Sequence, residues 1–281
     1  MEFKRLYREI KTLLTDVTDS PAYEARVLLE LAAGGSFEDM MFGNGYVLSA
    51  EELQSLDKLV KKRLDGYPIQ YLLGKWSFMG RDYLVGEGVL IPRDDTEVLV
   101  RTAISMAQQI DAINIFDLCS GSGIIAVTLA KEIKNSRVTA VELSESAFEY
   151  LKRNCAVNEA ANVLPVMGDV FVCFENVPDR SVDMLVSNPP YIARSEADGL
   201  QRELLSEPDL ALFGGEDGLD FYRGIIKNWI LKVKHGGAVA FEIGDTQAGA
   251  VTDMMLENGL CRIKIVKDIQ GYDRVVCGFV E

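Results

Sequence analysis

The 281-residue sequence has little of the chemistry on which disulfide-stabilised and zinc-dependent proteins depend. It contains five cysteines and a single histidine, His235, and no two cysteines stand in a C-x-x-C spacing. Disulfide frameworks and zinc clusters are both recognised by such spacings. We therefore expect small buried thiols in a reducing compartment and no bound metal.

Long hydrophobic runs are also missing. No apolar stretch approaches the ~18 residues that a membrane span requires. The first segment, "MEFKRLYREIKTLL", has the pattern of a charged amphipathic helix and lacks the apolar centre of a signal peptide. These observations predict a globular protein of the cytoplasm with no membrane partner.

Basic residues are in deficit, with 29 Lys and Arg against 43 Asp and Glu and a net charge of −14. Nucleic-acid-binding proteins gain much of their affinity from basic side chains that neutralise phosphates. The charge therefore argues against DNA or RNA as the direct substrate. A local basic patch remains open around Lys58, Lys61, Lys62 and Arg63.

Length and composition predict two globular domains. Residues 1–75 are predicted to form a small N-terminal helical domain that recognises the substrate. In that domain Pro21 can take the first position of a helix, and Ser49 with Glu52 has the spacing of a capping box. Residues 76–92 mix strand-forming residues with glycine turns and predict a linking β-hairpin.

Residues 93–281 alternate short apolar strands with helical stretches, which is typical of a doubly wound α/β sheet. Continuous apolar runs indicate strands that are buried on both faces of a mostly parallel sheet. The seven predicted strands are "NIFDLCSG", "RVTAVEL", "NVLPVMGD", "SVDMLVSN", "AVAFEIG", "CRIKIVKDI" and "DRVVCGFVE". The last two are joined by a short glycine-containing turn and are predicted to pair antiparallel at one edge.

The residues after the first two strands predict a ligand-binding turn, because ligands bind outside the carboxyl ends of such strands. In "DLCSGSGIIA", Asp117 ends the strand, and Gly121 and Gly123 permit a tight turn with close backbone approach. Glu142 follows at about the ~20 residues expected for a carboxylate that binds ribose hydroxyls. Alone, the pattern fits a dinucleotide equally well, because Gly121, Gly123 and Ala126 satisfy G-x-G-x-x-G/A.

The stretch "LVSNPPYIAR" indicates a more specific chemistry. Asn188 offers a side-chain carbonyl, and Pro189, with its restricted φ and no N–H, offers a backbone carbonyl. Two fixed acceptors are complementary to a planar NH2 group. Pro190 keeps the segment extended, and the ring of Tyr191 can lie against the flat face of that group. A purely structural turn is the alternative to this predicted amide- or amine-binding site.

Several motifs together carry a family resemblance. "DLCSGSG", Glu142, "GDVF" and "NPPYI" resemble the motifs of S-adenosylmethionine-dependent amino-group methyltransferases. Four further segments resemble the HemK/PrmC family, and the similarity runs through essentially the whole chain: "PIQYLLGKWSFMGRDYLVGEGVLIPRDDTEVLV", "SEPDLALFGGEDGLDFYRGI", "FEIGDTQ" and "DIQGYDRVV". Enzymes of that family methylate the side-chain amide nitrogen, N5, of the Gln in the Gly-Gly-Gln motif of class 1 peptide-chain release factors.

The resemblance implies a seven-stranded class I methyltransferase fold over residues 93–281. It also implies S-adenosylmethionine as methyl donor, S-adenosylhomocysteine as product, a class 1 release factor as partner, and no metal. The segment from Cys119 to Gly123 is expected to cradle the methionine end of the cofactor, and Glu142 to bind its ribose. The implied cofactor-binding residues are Asp117, Cys119, Ser120, Gly121, Ser122, Gly123, Glu142, Asp169, Val170 and Asn188. The implied catalytic residues, which would hold the substrate Gln, are Asn188, Pro189, Pro190 and Tyr191.

Three features depart from the family pattern. Cys119 stands where Gly is usual, and "RDDTE" replaces Arg-Pro-Glu-Thr-Glu. Val170, expected beside the adenine, holds a place that is often aromatic, which raises the question of what stacks on that ring. Arg93, Thr96 and Glu97 match a segment that packs near the same cleft in the family.

Other functions stay open at this point. A ribosomal-protein glutamine methyltransferase would use the same catalytic motifs. A nucleic-acid adenine N6-methyltransferase shares the NH2-binding logic, but it would call for a basic face and usually a sizeable target-recognition domain. A non-catalytic nucleotide-binding module would have no use for Asn188 and Tyr191.

Overall fold

The computed structural model of the protein describes residues 3–43, 45–108, 113–199 and 203–281. The chain divides into two compact units. The helical unit comprises residues up to 74 together with 203–206. The second unit comprises 75–199 and 207–281 and is called the catalytic unit after the role that the sequence predicts for it. Across the described ranges, no helix has both the length and the apolar character that crossing a bilayer demands.

The helical unit consists of short helices packed around an apolar core that includes Phe3, Ile10 and Leu28. Helix α2 starts at Pro21, as predicted. Both hydrogen bonds of the predicted capping box form: Glu52 N donates to Ser49 Oγ at 3.2 Å and Ser49 N to Glu52 Oε2 at 2.6 Å. The helices are α1 (Phe3–Leu13), α2 (Pro21–Ala33), α3 (Phe37–Phe42), α4 (Ala50–Leu64) and α5 (Ile69–Leu73).

Arg63 lies inside the helical unit and not on its surface. Its side chain is 1% exposed, and its Nε and Nη2 atoms donate to the two carboxylate oxygens of Glu24 at 2.6 and 3.1 Å. The same guanidinium also pairs with Glu203. A charge enclosed in this way is unable to contact phosphates, so only the lysines of the basic patch considered from the sequence are exposed.

The catalytic unit begins with an antiparallel hairpin of β1 (Lys75–Phe78) and β2 (Arg81–Leu84). The hairpin is shorter than the predicted 76–92, because the strand pairing ends at Leu84 and the next segment, with two glycines and a proline, is irregular. The remaining helices are α6 (Thr96–Ala107), α7 (Ile124–Glu132), α8 (Glu145–Val157), α9 (Asp209–Leu212), α10 (Asp220–Trp229) and α11 (Ala248–Glu257). The remaining strands are β3 (Ile113–Leu118), β4 (Ser136–Glu142), β5 (Val163–Met167), β6 (Val182–Ser187), β7 (Val233–Glu242), β8 (Leu260–Lys267) and β9 (Asp273–Val280).

Strands β3 to β9 form the predicted seven-stranded sheet, in the order β5-β4-β3-β6-β7-β9-β8. The pairs from β5 through β7 are parallel, and β9 pairs antiparallel with both β7 and β8. The predicted doubly wound sheet with an antiparallel edge is therefore confirmed. The segment between β5 and β6 departs from regular strand–helix alternation, because it contains only a 3₁₀ turn at Cys173–Asn176.

The sheet is buried on both faces, which explains the apolar runs of its strands. Along β7, Ala238 and Ala240 belong to the core cluster that includes residues of α6 and α7, while Val239 and Phe241 belong to the cluster that includes residues of α10 and α11. Strand order reverses between β3 and β6, and in such sheets a crevice opens at the carboxyl ends of the two strands that flank the reversal.

Candidate active site at the carboxyl end of the sheet

A single cavity of the catalytic unit collects most of the residues that the motifs predicted. Its wall includes Gly121 after β3, Glu142 at the end of β4 and Asn188 after β6. Asp169 and Phe171, which follow β5, also contribute to the wall. The cavity therefore lies at the strand ends where the sheet topology predicts a ligand site.

The turn after β3 is held by buried hydrogen bonds. Asp117 is fully buried, and its Oδ2 atom accepts from the N–H of Ala126 at 3.1 Å. Ser120 Oγ donates to the carbonyl oxygen of Asp117 at 2.8 Å. Asp117 Oδ1 has no hydrogen-bond partner within the described ranges, and burial raises the pKa of this carboxyl to about 8. Asp117 thus lies behind the cavity wall and shapes the turn, which places it outside the direct lining.

Two glycines of the turn have different structural requirements. Gly121 has φ +55°, and a Cβ atom built there would meet no atom within 4 Å, so the turn leaves open space at this position. Gly123 has φ +83°, and a Cβ atom there would lie 2.3 Å from Leu151 Cδ1. Gly123 therefore permits close packing of the turn against α8, whereas Gly121 keeps its own side of the turn clear.

Cys119 adopts φ +60°, in the left-handed region that favours glycine. This conformation explains why glycine is usual at the position in the family. The thiol packs beside the core of the catalytic unit, and burial raises its pKa well above the ordinary value. Such a thiol is a poor nucleophile, so the substitution changes the backbone strain of the turn more than its chemistry.

Glu142 is clamped by the backbone at the cavity wall. Its Oε2 atom accepts from the N–H of Gly121 at 2.7 Å and its Oε1 atom from the N–H of Ser144 at 2.7 Å. The side chain is 8% exposed, and burial raises the pKa of the carboxyl although both N–H groups favour its ionised form. The clamp fixes the direction of the carboxyl group at the point predicted for it.

The segment after β5 brings an aromatic side chain next to Val170 to the cavity wall. Val170 reaches the cavity wall but is 5% exposed, and its carbonyl oxygen accepts from Trp229 Nε1 at 2.8 Å. The adjacent Phe171 lines the cavity, and its ring lies 5.2 Å from that of Phe221, another wall residue. A Cβ atom on Gly224 would come within 2.1 Å of the Phe171 ring, so this glycine makes room for it.

The "NPPY" segment lies directly after β6. Asn188 and Pro190 line the cavity, and Asn188 Nδ2 donates to Thr96 Oγ1 at 3.4 Å. Pro189 is buried and Tyr191 packs against the core cluster, and neither belongs to the described cavity lining. The structure therefore brings Asn188 and Pro190 to the cavity and places the other two residues of the motif beside it.

A glycine-rich loop holds this segment in place. Ile192 N donates to the carbonyl of Leu212 at 2.9 Å, and Gly214 N donates to the carbonyl of Ile192 at 3.0 Å. Gln247 Nε2 donates to the carbonyl of Tyr191 at 2.9 Å. At Gly218, with φ +74°, a Cβ atom would lie 2.2 Å from that same carbonyl oxygen. The segment is thus fixed by its own prolines and by close backbone contacts.

The "RDDTE" segment contributes unequally. Thr96, the first residue of α6, lines the cavity and contacts Asn188. Arg93 also lines the cavity and pairs with the buried carboxylate of Glu207. Glu97 lies outside the described cavity lining and pairs with Arg101 one turn along α6 at 2.8 Å.

Sequence reasoning assigned no role to several residues of this region, namely Phe171, Glu207, Phe221, Glu242 and Gln247. Glu242 could have been found by the rule that identified Asp117 and Glu142, because it is a carboxylate at the end of an apolar strand. The aromatic pair had no comparable signal, since its two rings come from segments fifty residues apart in the sequence.

Substitution of Gly218 by Ala should destabilise the catalytic unit by about 2 kcal/mol or more, because the new methyl group meets a backbone carbonyl at a left-handed φ. Gly249 in α11 is the matched control. A Cβ atom at Gly249 meets nothing within 4 Å, so Gly249→Ala should stabilise by about 0.5–1 kcal/mol. Urea unfolding of both variants measures the difference. Equal stability of Gly218→Ala and wild type would contradict the close contact with Tyr191.

Comparison with known proteins agrees with this geometry. Family models match the PrmC N-terminal domain over residues 5–74 and the methyltransferase small domain over residues 94–215. The release factor glutamine methyltransferase of Koribacter versatilis is 36% identical over 96% of this chain and 95% of its own length. A protein of the same name from Geobacter sulfurreducens is 41% identical over 82% of this chain and 80% of its own length.

Two solved structures show the same fold. A methyltransferase from Pyrococcus furiosus matches 72% of this chain and 90% of its own, with 20% identity and a TM-score of 0.52. The hMettl16 catalytic domain matches 82% of this chain and 80% of its own, with 13% identity and a TM-score of 0.56. The fold, the motifs and the relatives lead to one conclusion: this chain belongs to the release factor glutamine methyltransferase family.

Proposed function

We propose that this chain transfers a methyl group from S-adenosylmethionine to the amide nitrogen, N5, of the Gln in the Gly-Gly-Gln motif of class 1 peptide-chain release factors. The observation that carries the proposal is the Asn188 amide at the cavity wall, whose Nδ2 atom donates to Thr96. That bond directs the remaining acceptor, Oδ1, to a bound NH2 group. Relatives named release factor glutamine methyltransferase support the substrate class.

Two features of the cavity support the proposed methyl donor, namely the open space at Gly121 and the acceptor oxygens of Glu142. The open space at Gly121 admits a ligand close to the backbone. Each oxygen of Glu142 accepts one backbone N–H and keeps further acceptor capacity for a ribose hydroxyl. When bound, S-adenosylmethionine supplies an electrophilic methyl group on a sulfonium sulfur. We assign the turn from Cys119 to Gly123 to its methionine end, with Asp117 supporting the turn from beneath.

We assign the adenine ring to the other end of the cavity. Asp169 and Val170 are the residues proposed beside it, and Phe171 with Phe221 supplies the aromatic surface that Val170 lacks. Asp169 Oδ1 accepts from the N–H of Phe171 at 2.8 Å, which fixes the carboxylate beside this surface. The departure at Val170 is therefore compatible with adenine binding.

Glu142→Gln should weaken S-adenosylmethionine binding by about tenfold to a hundredfold, because two ribose hydroxyls lose a charged acceptor and such bonds contribute about 1.5 to 3 kcal/mol. Calorimetric titration measures the change. Glu145→Gln, an exposed residue in the first turn of α8, is the matched control and should leave the affinity unchanged. Unaltered binding by Glu142→Gln would remove Glu142 from the cofactor site.

The target amide is a poor nucleophile, because its nitrogen lone pair is delocalised into the carbonyl group. We propose that its two N–H groups donate to Asn188 Oδ1 and to the backbone carbonyl of Pro189. These bonds strengthen as positive charge develops on the nitrogen, and they aim the nitrogen at the methyl group. Pro190 fixes the direction of the preceding carbonyl. Contact between the ring of Tyr191 and the amide plane stays a prediction.

Asn188→Ala should slow methyl transfer by roughly tenfold to several hundredfold, because one substrate N–H is left without an acceptor in a desolvated cleft. Single-turnover rates with labelled S-adenosylmethionine, followed by mass spectrometry of the methylated residue, measure the effect on a release factor. The affinity for S-adenosylmethionine should change much less.

The substrates of the same assay provide the controls. A release factor with Glu in place of the target Gln should not react, because a carboxylate has no N–H to donate. A ribosomal protein and duplex DNA should remain unlabelled. Methylation of either one in preference to the release factor would replace the proposed substrate, and a large loss of cofactor affinity in Asn188→Ala would assign Asn188 to the cofactor pocket.

We propose that the helical unit, predicted from the sequence as residues 1–75, recognises the body of the release factor. The match of residues 5–74 to the PrmC N-terminal domain supports a role specific to this family. Phe42 and Val47 of this unit are 79% and 60% exposed. We propose these two side chains as contacts for the release factor, because aromatic residues are enriched and charged residues depleted in the cores of protein interfaces.

Phe42→Ser together with Val47→Ser should raise the KM for a full-length release factor by about fivefold or more, because truncating a buried interface residue costs about 1 kcal/mol or more. The KM for S-adenosylmethionine should be unaffected. Leu256→Ser removes an apolar side chain that is 53% exposed, close to the value for Val47, from the catalytic unit and serves as control. If all three proteins share one KM for the release factor, these two residues have no recognition role.

A further inference from the structure

A second buried carboxyl group lies beside Asn188. In the parallel pair of β6 and β7, Ser187 stands next to Phe241, so Asn188, the residue after β6, lies beside Glu242, the last residue of β7. Glu242 is 1% exposed, and its Oε2 atom has no hydrogen-bond partner in the part of the chain that the structure describes. Carboxylates are almost never fully buried unless they are paired, and buried carboxyl groups with shifted pKa values cluster at functional sites.

The groups around Glu242 connect it with Asn188. Burial raises the pKa of its carboxyl group, whereas hydrogen bonding to the side chains of Thr96 and Asn188 lowers it, and Thr96 Oγ1 accepts from Asn188 Nδ2 at 3.4 Å. Thr96 is 1% exposed and is the first residue of α6. Because a carboxylate only accepts hydrogen bonds, it draws the NH2 side of the Asn188 amide toward itself and turns Oδ1 to the cavity.

Charged and titratable groups from the neighbouring elements also face Glu242. Arg274 of β9 attracts the carboxylate, while Asp95 before α6 repels it. Arg274 is itself shared with Asp95 at 3.3 Å and Asp268 at 3.1 Å, so its charge is largely compensated. The hydroxyls of Tyr191 and Tyr222 are uncharged near neutral pH, and that of Tyr222 donates to the backbone carbonyl of Glu242 at 2.8 Å. Arg274 therefore does not fully neutralise the negative charge of ionised Glu242.

We propose that Glu242 is a positioning residue for methyl transfer, whose carboxylate acts through Asn188 and Thr96. It holds the Asn188 amide with Oδ1 toward the substrate amide, and its charge strengthens that acceptor. In a low-dielectric site it also favours the positive charge that develops on the substrate nitrogen. The inference rests on the proposed function and extends it to a residue that does not line the described cavity.

The ionised form of Glu242 is the active one in this arrangement. Burial raises the pKa of this carboxyl to about 7, while Thr96, Arg274 and Asn188 act in the opposite direction. Protonation below that pH removes the charge of the carboxylate. The protonated carboxyl group can then donate a hydrogen bond itself and competes with the Asn188 NH2 group for the acceptor Thr96 Oγ1. The rate of methyl transfer should therefore rise as pH increases through about 7 and then level off.

The test measures single-turnover methylation of a release factor by the full chain between pH 5.5 and 9. S-adenosylmethionine is kept saturating, so that any change in cofactor affinity caused by titration of Asp117 or Glu142 does not affect the measured rate. Glu242→Gln should lower the rate at pH 8.5 by about tenfold or more. This loss should be smaller than the loss caused by removing a group that contacts the substrate directly. It should abolish the rise near pH 7 and keep the cofactor affinity within about twofold.

Asp183→Asn is the matched control, because Asp183 is a carboxylate of β6 near the opposite end of that strand, paired with Lys234. It should keep both the rate and the pH profile of wild type. Glu242→Asp retains the charge and should retain a pH-dependent rate. A profile of Glu242→Gln that superimposes on wild type overturns the role of Glu242, while methylation by both proteins upholds the proposed function.

Failure of either idea is recognisable. A wild-type protein that leaves the release factor unmethylated at every pH defeats the proposed function itself. If Glu242→Gln loses its fold, judged by circular dichroism and cofactor titration, the wild-type profile decides. A single-turnover rate that is flat between pH 5.5 and 9 then overturns the proposal, and a rise near pH 7 that persists in Asp183→Asn and shifts in Glu242→Asp supports it.

Discussion

The candidate site depends on the parallel register of β6 between β3 and β7. Leu118 stands beside Ser187, and Ser187 beside Phe241, so the three strands end at one level. Residues far apart in the sequence therefore meet at one edge of the sheet. A shift of one residue would turn each side chain to the other face and take Asn188 away from the cavity.

Buried carboxyl groups recur at this edge of the sheet, at Asp117, Glu142 and Glu242, and burial raises the pKa of each. Burial of a carboxylate is expensive unless donors compensate it. Backbone N–H groups do so for Asp117 and Glu142, and the side chains of Thr96 and Asn188 for Glu242. A site that is proposed to bind a sulfonium and to place positive charge on an amide nitrogen has a physical use for the negative charge of ionised Glu142 and Glu242.

Rigidity at the motif after β6 has two sources. The two prolines restrict the backbone locally. Hydrogen bonds from neighbouring segments are the second source: Gln247 donates to the carbonyl of Tyr191, and the N–H and carbonyl of Ile192 bond with Leu212 and Gly214. Glycines 214 and 218 allow backbone atoms to approach where any side chain would collide. Preorganised acceptors lose little conformational entropy when the substrate binds, which is the general advantage of such a site for a weakly nucleophilic amide.

The sequence by itself determined the seven strands, the antiparallel edge, the helix start at Pro21 and the capping box at Ser49, and it predicted a ligand site at the strand ends. These features follow from local patterns, because apolar period, capping residues and glycine turns act over a few neighbouring positions. Asp117, Glu142 and Asn188 were predicted as site residues for the same reason: each stands just after or at the end of an apolar run. The family motifs added the substrate class, which the relatives support.

Only the tertiary structure decided which residues meet across the sheet. The contact of Asn188 with Thr96, the position of Glu242 behind them and the aromatic pair of Phe171 and Phe221 each join distant segments. Burial of Arg63 against Glu24 likewise removed a charge that the sequence had left on a possible surface patch. Strand register and side-chain burial are set by packing of the whole unit, and no local pattern in one sequence encodes them.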